Sequence, residues 1–177
     1  IVDVRFRNKT FGYHSGTMKV VFENGKVYFG SARTNYFLKA FFSDLCSRPS
    51  CYECNFKHIQ HKSDLTLYDG WHASELANIE DDDRGYTNII IQSNKGKEIL
   101  DGLKTLKKYP IDTLKAVELD GIMVENSVEW NDKRERFFDN INNENIEEHC
   151  LRFMKISLKD KFIEKMKRIY YIRKFNG

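Results

Sequence analysis

Cys46, Cys51 and Cys54 fall within nine residues, and the spacing Cys-x4-Cys-x2-Cys has the clearest capacity for chemistry in this sequence. The Cys-x-x-Cys step lets two sulfurs bind one metal or two irons of one cluster, and the full spacing is also the leading pattern of plant-type two-iron ferredoxins. A fourth ligand is absent locally. Cys150 supplies it only if the fold brings it back, and His58 would complete a closed three-thiolate, one-imidazole zinc site. The plainer reading is a set of reduced thiols without metal. Asp69, Trp71 and His72 form a second group, placed after a strand, where α/β proteins bind ligands. Trp71 could stack on a flat ring and His72 could transfer a proton, or the tryptophan simply plugs the core. Lys95, beside Gly96 at the start of a helix, suits a phosphate, although no nucleotide fingerprint accompanies it. Asp81, Asp82 and Asp83 read best as a solvated turn.

The elements that must carry these residues alternate between strand and helix. Ile1–Phe6 alternates apolar and charged residues as a half-buried strand does. Asn24-Gly25, between Met18–Glu23 and Lys26–Phe29, predicts a hairpin closed by a two-residue turn. Tyr36–Leu45 reads as a short helix delivering the chain to a cysteine loop. Ser63–Tyr68 suits a strand, and Tyr86–Gln92, with three successive isoleucines, suits a strand buried on both faces. Helices are expected over Lys97–Leu106, Ile111–Val117 and Lys133–Asn140, with an Asn-rich break at Asn140–Asn145. A long basic amphipathic helix follows over Ile146–Phe175, broken near Ser157, with Leu151, Met154, Leu158, Phe162, Met166 and Ile169 on one face. The fold class is α/β (or α+β), a single domain over 1–145 with a mixed sheet flanked by helices. A helical extension over 146–177 is expected to dock on a neighbour, a second copy included.

Composition narrows the function. With 41% hydrophobic and 14% aromatic residues, the 177-residue chain can bury a core. A net charge of +3 is too small to argue for nucleic acid. No stretch approaches the roughly 20 apolar residues of a membrane helix, and no signal peptide opens the chain. Clustered cysteines argue against a disulfide framework and for a reducing cytoplasm. The absence of an initial Met suggests an excised piece.

The segment from Leu45 through Cys46-Ser47-Arg48-Pro49-Ser50-Cys51-Tyr52-Glu53-Cys54 to Lys57 resembles the signature of the coenzyme F420 hydrogenase/dehydrogenase beta subunit family, in its C-terminal domain. Lys62–Leu67, Asp82–Thr87, Asn94–Glu98, Val2–Arg7 and Lys133–Phe138 are similar in order, so the likeness spans roughly the first 140 residues. It implies an electron-transfer oxidoreductase subunit with 4Fe-4S and FAD, and in methanogens coenzyme F420. Cys46, Cys51 and Cys54 would then be cluster ligands, and Asp69, Trp71, His72 and Lys95 cofactor-binding. An N-terminal ferredoxin-like domain or an electron-donor subunit would be the partner, and the piece alone would be inactive. Where the family reads Gly-Asp-Phe-Trp-Gly, this chain has Tyr68 and His72 at the outer glycines, two large side chains expected to obstruct a cofactor. The rival readings are a zinc-stabilised module and a cofactor-free interaction domain associated with polysaccharide biosynthesis.

Overall fold

The computed structural model describes residues 1–139, 141–142 and 145–176, with side chains through 170. In chain order the first elements are β1 (Asp3–Asn8), β2 (Thr17–Val21), β3 (Val27–Ser31), α1 (Tyr36–Phe42), α2 (Pro49–Tyr52), β4 (Leu65–Gly70) and α3 (Ala73–Ala77). They are followed by β5 (Tyr86–Ile91), α4 (Asn94–Gly102), α5 (Thr113–Asp120), α6 (Ile122–Glu125), α7 (Arg134–Asp139), α8 (Ile146–Phe153) and α9 (Leu158–Asn176). The chain forms two compact units, Ile1–Arg48 with Glu129–Gly177, and Pro49–Val128. The last two helices group with the first unit. Both sheets are antiparallel, so the α+β form of the expected class is the one realised.

The first unit carries the sheet β1-β2-β3. Its hairpin lies where Asn24-Gly25 places it, but the loop has three residues rather than two. The Phe22 amide donates to the Lys26 carbonyl and the Gly25 amide returns to Phe22. Gly25 has φ +77, whereas Asn24 is not among the residues with positive φ. This is a type I turn ending in one left-handed residue, the form that Glu23-Asn24-Gly25 supports without straining Asn24. Ala40 and Leu45 close a core with Phe137, Cys150 and Met154. Asn35 caps α1 by accepting from the Leu38 amide.

The break near Ser157 is a reciprocal cap. The Ser157 hydroxyl accepts from the Asp160 amide, and the Asp160 carboxylate accepts from the Ser157 amide. Of the expected apolar stripe, Met154 is core. Leu158, Phe162 and Met166 remain 85%, 64% and 49% exposed, so α9 turns its polar side to the sheet. Glu164 accepts from the Ser31 amide and hydroxyl, and Arg168 donates to the Phe29 carbonyl, covering the β3 edge. Part of the Asn-rich break, and the side chains of Arg173 and Lys174, lie outside the described residues.

The second unit is built on the β4–β5 hairpin, where Tyr68 pairs with Asn88 and Gly70 with Tyr86. Contrary to the expected burial on both faces, β5 buries only Asn88 fully and leaves Ile91 exposed, because a two-stranded sheet covered by helices on one side has a wet face. On the covered face Tyr68 packs with Val117 and Val124. Helix α4 starts at Asn94 rather than Lys97, since Ser93 accepts from the Gly96 amide as its cap. Among the described residues no helix is long and apolar enough to cross a membrane.

Candidate functional site

The cysteine segment is divided between the units. Cys46 belongs to the first, after α1, and its side chain packs against the Phe137–Cys150 core. Burial raises its thiol above the ordinary value, neighbouring Cys150 adds to that, and the Arg134 guanidinium offsets part of it. Cys51 and Cys54 belong to the second unit, one within α2 and the other just beyond. The Cys54 amide donates to the Ser127 hydroxyl at 3.0 Å. All four cysteines are free thiols. Cluster ligands must be thiolates. The surroundings of Cys46 favour the neutral thiol, which counts against it as a ligand; Cys51 and Cys54 are both partly exposed. His58 stacks on His61, with ring centroids 4.8 Å apart. Among the described residues no three His, Cys, Asp or Glu side chains group so as to hold a metal ion.

Lys95 pairs with Asp64 at 3.5 Å. The same carboxylate accepts from the Ser93 hydroxyl at 2.6 Å. A Cβ on Gly96 would lie 2.1 Å from the Asp64 carbonyl oxygen. This glycine therefore brings the helix close to its own chain, and the chain's own carboxylate occupies the surroundings of Lys95.

The most organised polar group stands at the end of β4. His72 Nδ1 lies 2.6 Å from Asp120 Oδ1, and its backbone amide donates to Asp120 Oδ2 at 3.0 Å. Asn88 Nδ2 donates to the same Oδ2 at 3.2 Å. The Asp120 side chain is 0% exposed while that of His72 is 46% exposed. An ionised carboxylate only accepts, so Nδ1 carries the hydrogen and Nε2 is the atom left for another partner. The hydrogen bond to Asp120 raises the His72 pKa above its ordinary value of 6.5, desolvation opposes it, and the charges of Asp120 and Glu75 reinforce it.

Small residues make this arrangement possible. A Cβ on Gly70 would come within 3.0 Å of Asn88 Oδ1, so glycine there lets Asn88 lie across β4 towards Asp120. A Cβ on Gly121 would lie 3.1 Å from the Tyr68 ring. Tyr68 is thereby buried beside α5 and does not obstruct the end of β4. His72, the other expected obstacle, is drawn onto Asp120, and Trp71 remains partly exposed next to it. Trp71 and His72 thus leave two rings partly in solvent at the end of β4. Asp69 sits opposite Thr87 on β4, partly exposed. Sequence reasoning misses Asp120, Asn88 and Gly121. Asp120 lies four residues after buried Ala116 on α5, a polar residue on an apolar face, and that is the one signal the chain offers for it.

The fold and its polar groups define an α+β protein with free thiols close together in the chain and a histidine held by a buried carboxylate. The family model for the C terminus of the coenzyme F420 hydrogenase/dehydrogenase beta subunit matches residues 2–116, and the chain belongs to that family. No curated protein and no solved structure matches it. The matched span includes Cys46, Cys51, Cys54, Asp69, Trp71, His72 and Lys95, and stops before Asp120.

Proposed function

We propose that the chain is part of an electron-transfer oxidoreductase subunit that works with an iron–sulfur centre and a flavin or the deazaflavin F420. Family membership over residues 2–116 carries the reading. In it Cys46, Cys51 and Cys54 are the proposed ligand residues for a 4Fe-4S cluster, although among the described residues they form no metal-holding group. Trp71 and His72 face the organic cofactor, with Asp69 and Lys95 at its margins. Such a cofactor supplies two-electron chemistry coupled to protons; the chain's own contribution is to present an indole face and a histidine held by a buried acid. A ferredoxin-like domain or donor subunit would deliver electrons, and the exposed side of α9 offers a contact for such a partner or for a second copy.

The second reading is a cofactor-free interaction domain. It is favoured by one observation: the spaces at Gly70, Gly96 and Gly121 are taken by Asn88, Asp64, and Val117 with Tyr68, so these glycines form no cradle for a ligand. Anaerobic purification of the protein, followed by iron, sulfide and flavin assays, separates the two. Iron and flavin retained in constant ratio support the redox reading. Their absence from protein prepared and reconstituted anaerobically supports the interaction domain.

A further inference from the structure

His72 comes with a complete set of supports. Asp120 arrives from α5, 48 residues further along, to meet it. One carboxylate oxygen takes the ring, and the other takes the His72 backbone amide together with the Asn88 amide. The ring is fixed in position and tautomer, with Nε2 as its free nitrogen. A histidine needed only to cap the turn would require no buried carboxylate, because its backbone amide could be satisfied by a neutral acceptor or by water. Burying a carboxylate is costly unless its hydrogen bonds are made, and this one makes three through two donor residues.

We propose that His72 is the proton donor and acceptor for the organic redox cofactor of this subunit, with Asp120 as its positioning residue and Asn88 holding Asp120 in place. The inference rests on the redox reading above. Two-electron reduction of a flavin consumes two protons. His72 would give one of them from Nε2–H, become neutral and be reprotonated from water; the other proton would come from solvent, and the two electrons one at a time from a low-potential iron–sulfur donor. In the reverse direction Nε2 takes the proton back. Asp120 Oδ1 stays paired with Nδ1, so the proton that moves is the one on Nε2. The charged and titratable groups facing His72 are Asp120 from α5 and Glu75 from α3. Tyr68 from β4 lies near Asp120 and stays a phenol, since burial and that carboxylate raise its pKa. Both carboxylates acting on His72 favour its protonated form and raise its pKa above the ordinary value, with desolvation opposing them.

The test uses the full protein with bound FAD, reduced by dithionite in stopped-flow across pH 5 to 9, and compares wild type with His72→Gln and Asp120→Asn. The expected result for His72→Gln is equal FAD retention and reduction slowed by about 100-fold, with the pH dependence flattened. Asp120→Asn should shift the midpoint of the pH profile towards acid, because the imidazolium loses its counter-charge. Nitrogen-15 spectra of the neutral protein should show His72 with hydrogen on Nδ1 and not on Nε2. Unchanged rates and an unchanged profile in both variants would overturn the inference and leave the redox reading intact. Loss of FAD from His72→Gln alone would make His72 a binding residue and also overturn it. A wild-type protein that retains no FAD would remove the redox reading and this inference together.

Discussion

The two units treat the same residue type in opposite ways. In the first, His149 is 1% exposed and lies among Phe137 and Phe153, with its Nε2 2.6 Å from the Phe137 carbonyl oxygen. A carbonyl only accepts, so this nitrogen donates, and the ring ties α8 to the end of α7. In the second, His72 meets a carboxylate instead and keeps nearly half its surface in water. The acceptor and the exposure, not the imidazole, decide which histidine can do chemistry. The rest of each unit follows the same division. The first uses its long-range polar contacts to close itself, with Glu164 and Arg168 securing β3. The second directs its buried acid at one half-exposed side chain.

Removing the carboxylate should produce the largest effect. Asp120→Ala leaves the buried Asn88 amide and the part-buried His72 amide without their acceptor, costing about 3 kcal/mol, read as a lower denaturation midpoint. The nearly isosteric Asp120→Asn should cost clearly less, and equal losses would mean that shape rather than charge organises the second unit. In the first unit, His149→Leu should cost about 2 kcal/mol by leaving the Phe137 carbonyl unpaired. A neutral or stabilising result would show that aromatic packing alone holds α7 to α8. Gly25→Val should cost about 1–2 kcal/mol through backbone strain at positive φ, since nothing lies within 4 Å of a Cβ there. That loss should leave the His72 titration unchanged, as the two lie in different units.

The smallest effect is the pH dependence of stability. The folded state raises the His72 pKa above 6.5, so it binds this proton more tightly than the unfolded chain does. The resulting stabilisation is fully present below about pH 6.5 and is lost as pH rises through the folded value. Denaturation curves should therefore differ between wild type and His72→Gln more at pH 6 than at pH 8.5, by a modest amount because the ring is half exposed. A difference that grows with pH would contradict the assignment of charge at this site.

Much of this layout is written locally in the chain. Asn24-Gly25, Ser157 and the three isoleucines of β5 each act on their immediate neighbours, so the turn, the helix break and the strand can be read directly. The length of the hairpin loop cannot, because Asn24-Gly25 fits both a two-residue turn and the end of a three-residue one. The site is half legible. Trp71 and His72 announce themselves after a strand, but Asp120 lies 48 residues from His72, and the periodicity of the helix carrying it points to an end at Val117. Tyr68 reads as an obstacle to a ligand because sequence gives the size of a side chain and not its direction; Gly121 is what lets the ring turn inward. The pairing of Cys46 with Cys150 in one core is equally hidden, since it depends on α8 folding back onto α1.

A proton-NMR titration of the histidine ring hydrogens, assigned by His72→Gln and repeated in Asp120→Asn, tests the central claim most directly. The account predicts that His72 titrates above 6.5 in the wild type and that its midpoint falls when Asp120 is neutralised. A His72 midpoint at or below 6.5 that is indifferent to Asp120→Asn would contradict it, because the buried carboxylate would then hold the turn without charging the ring.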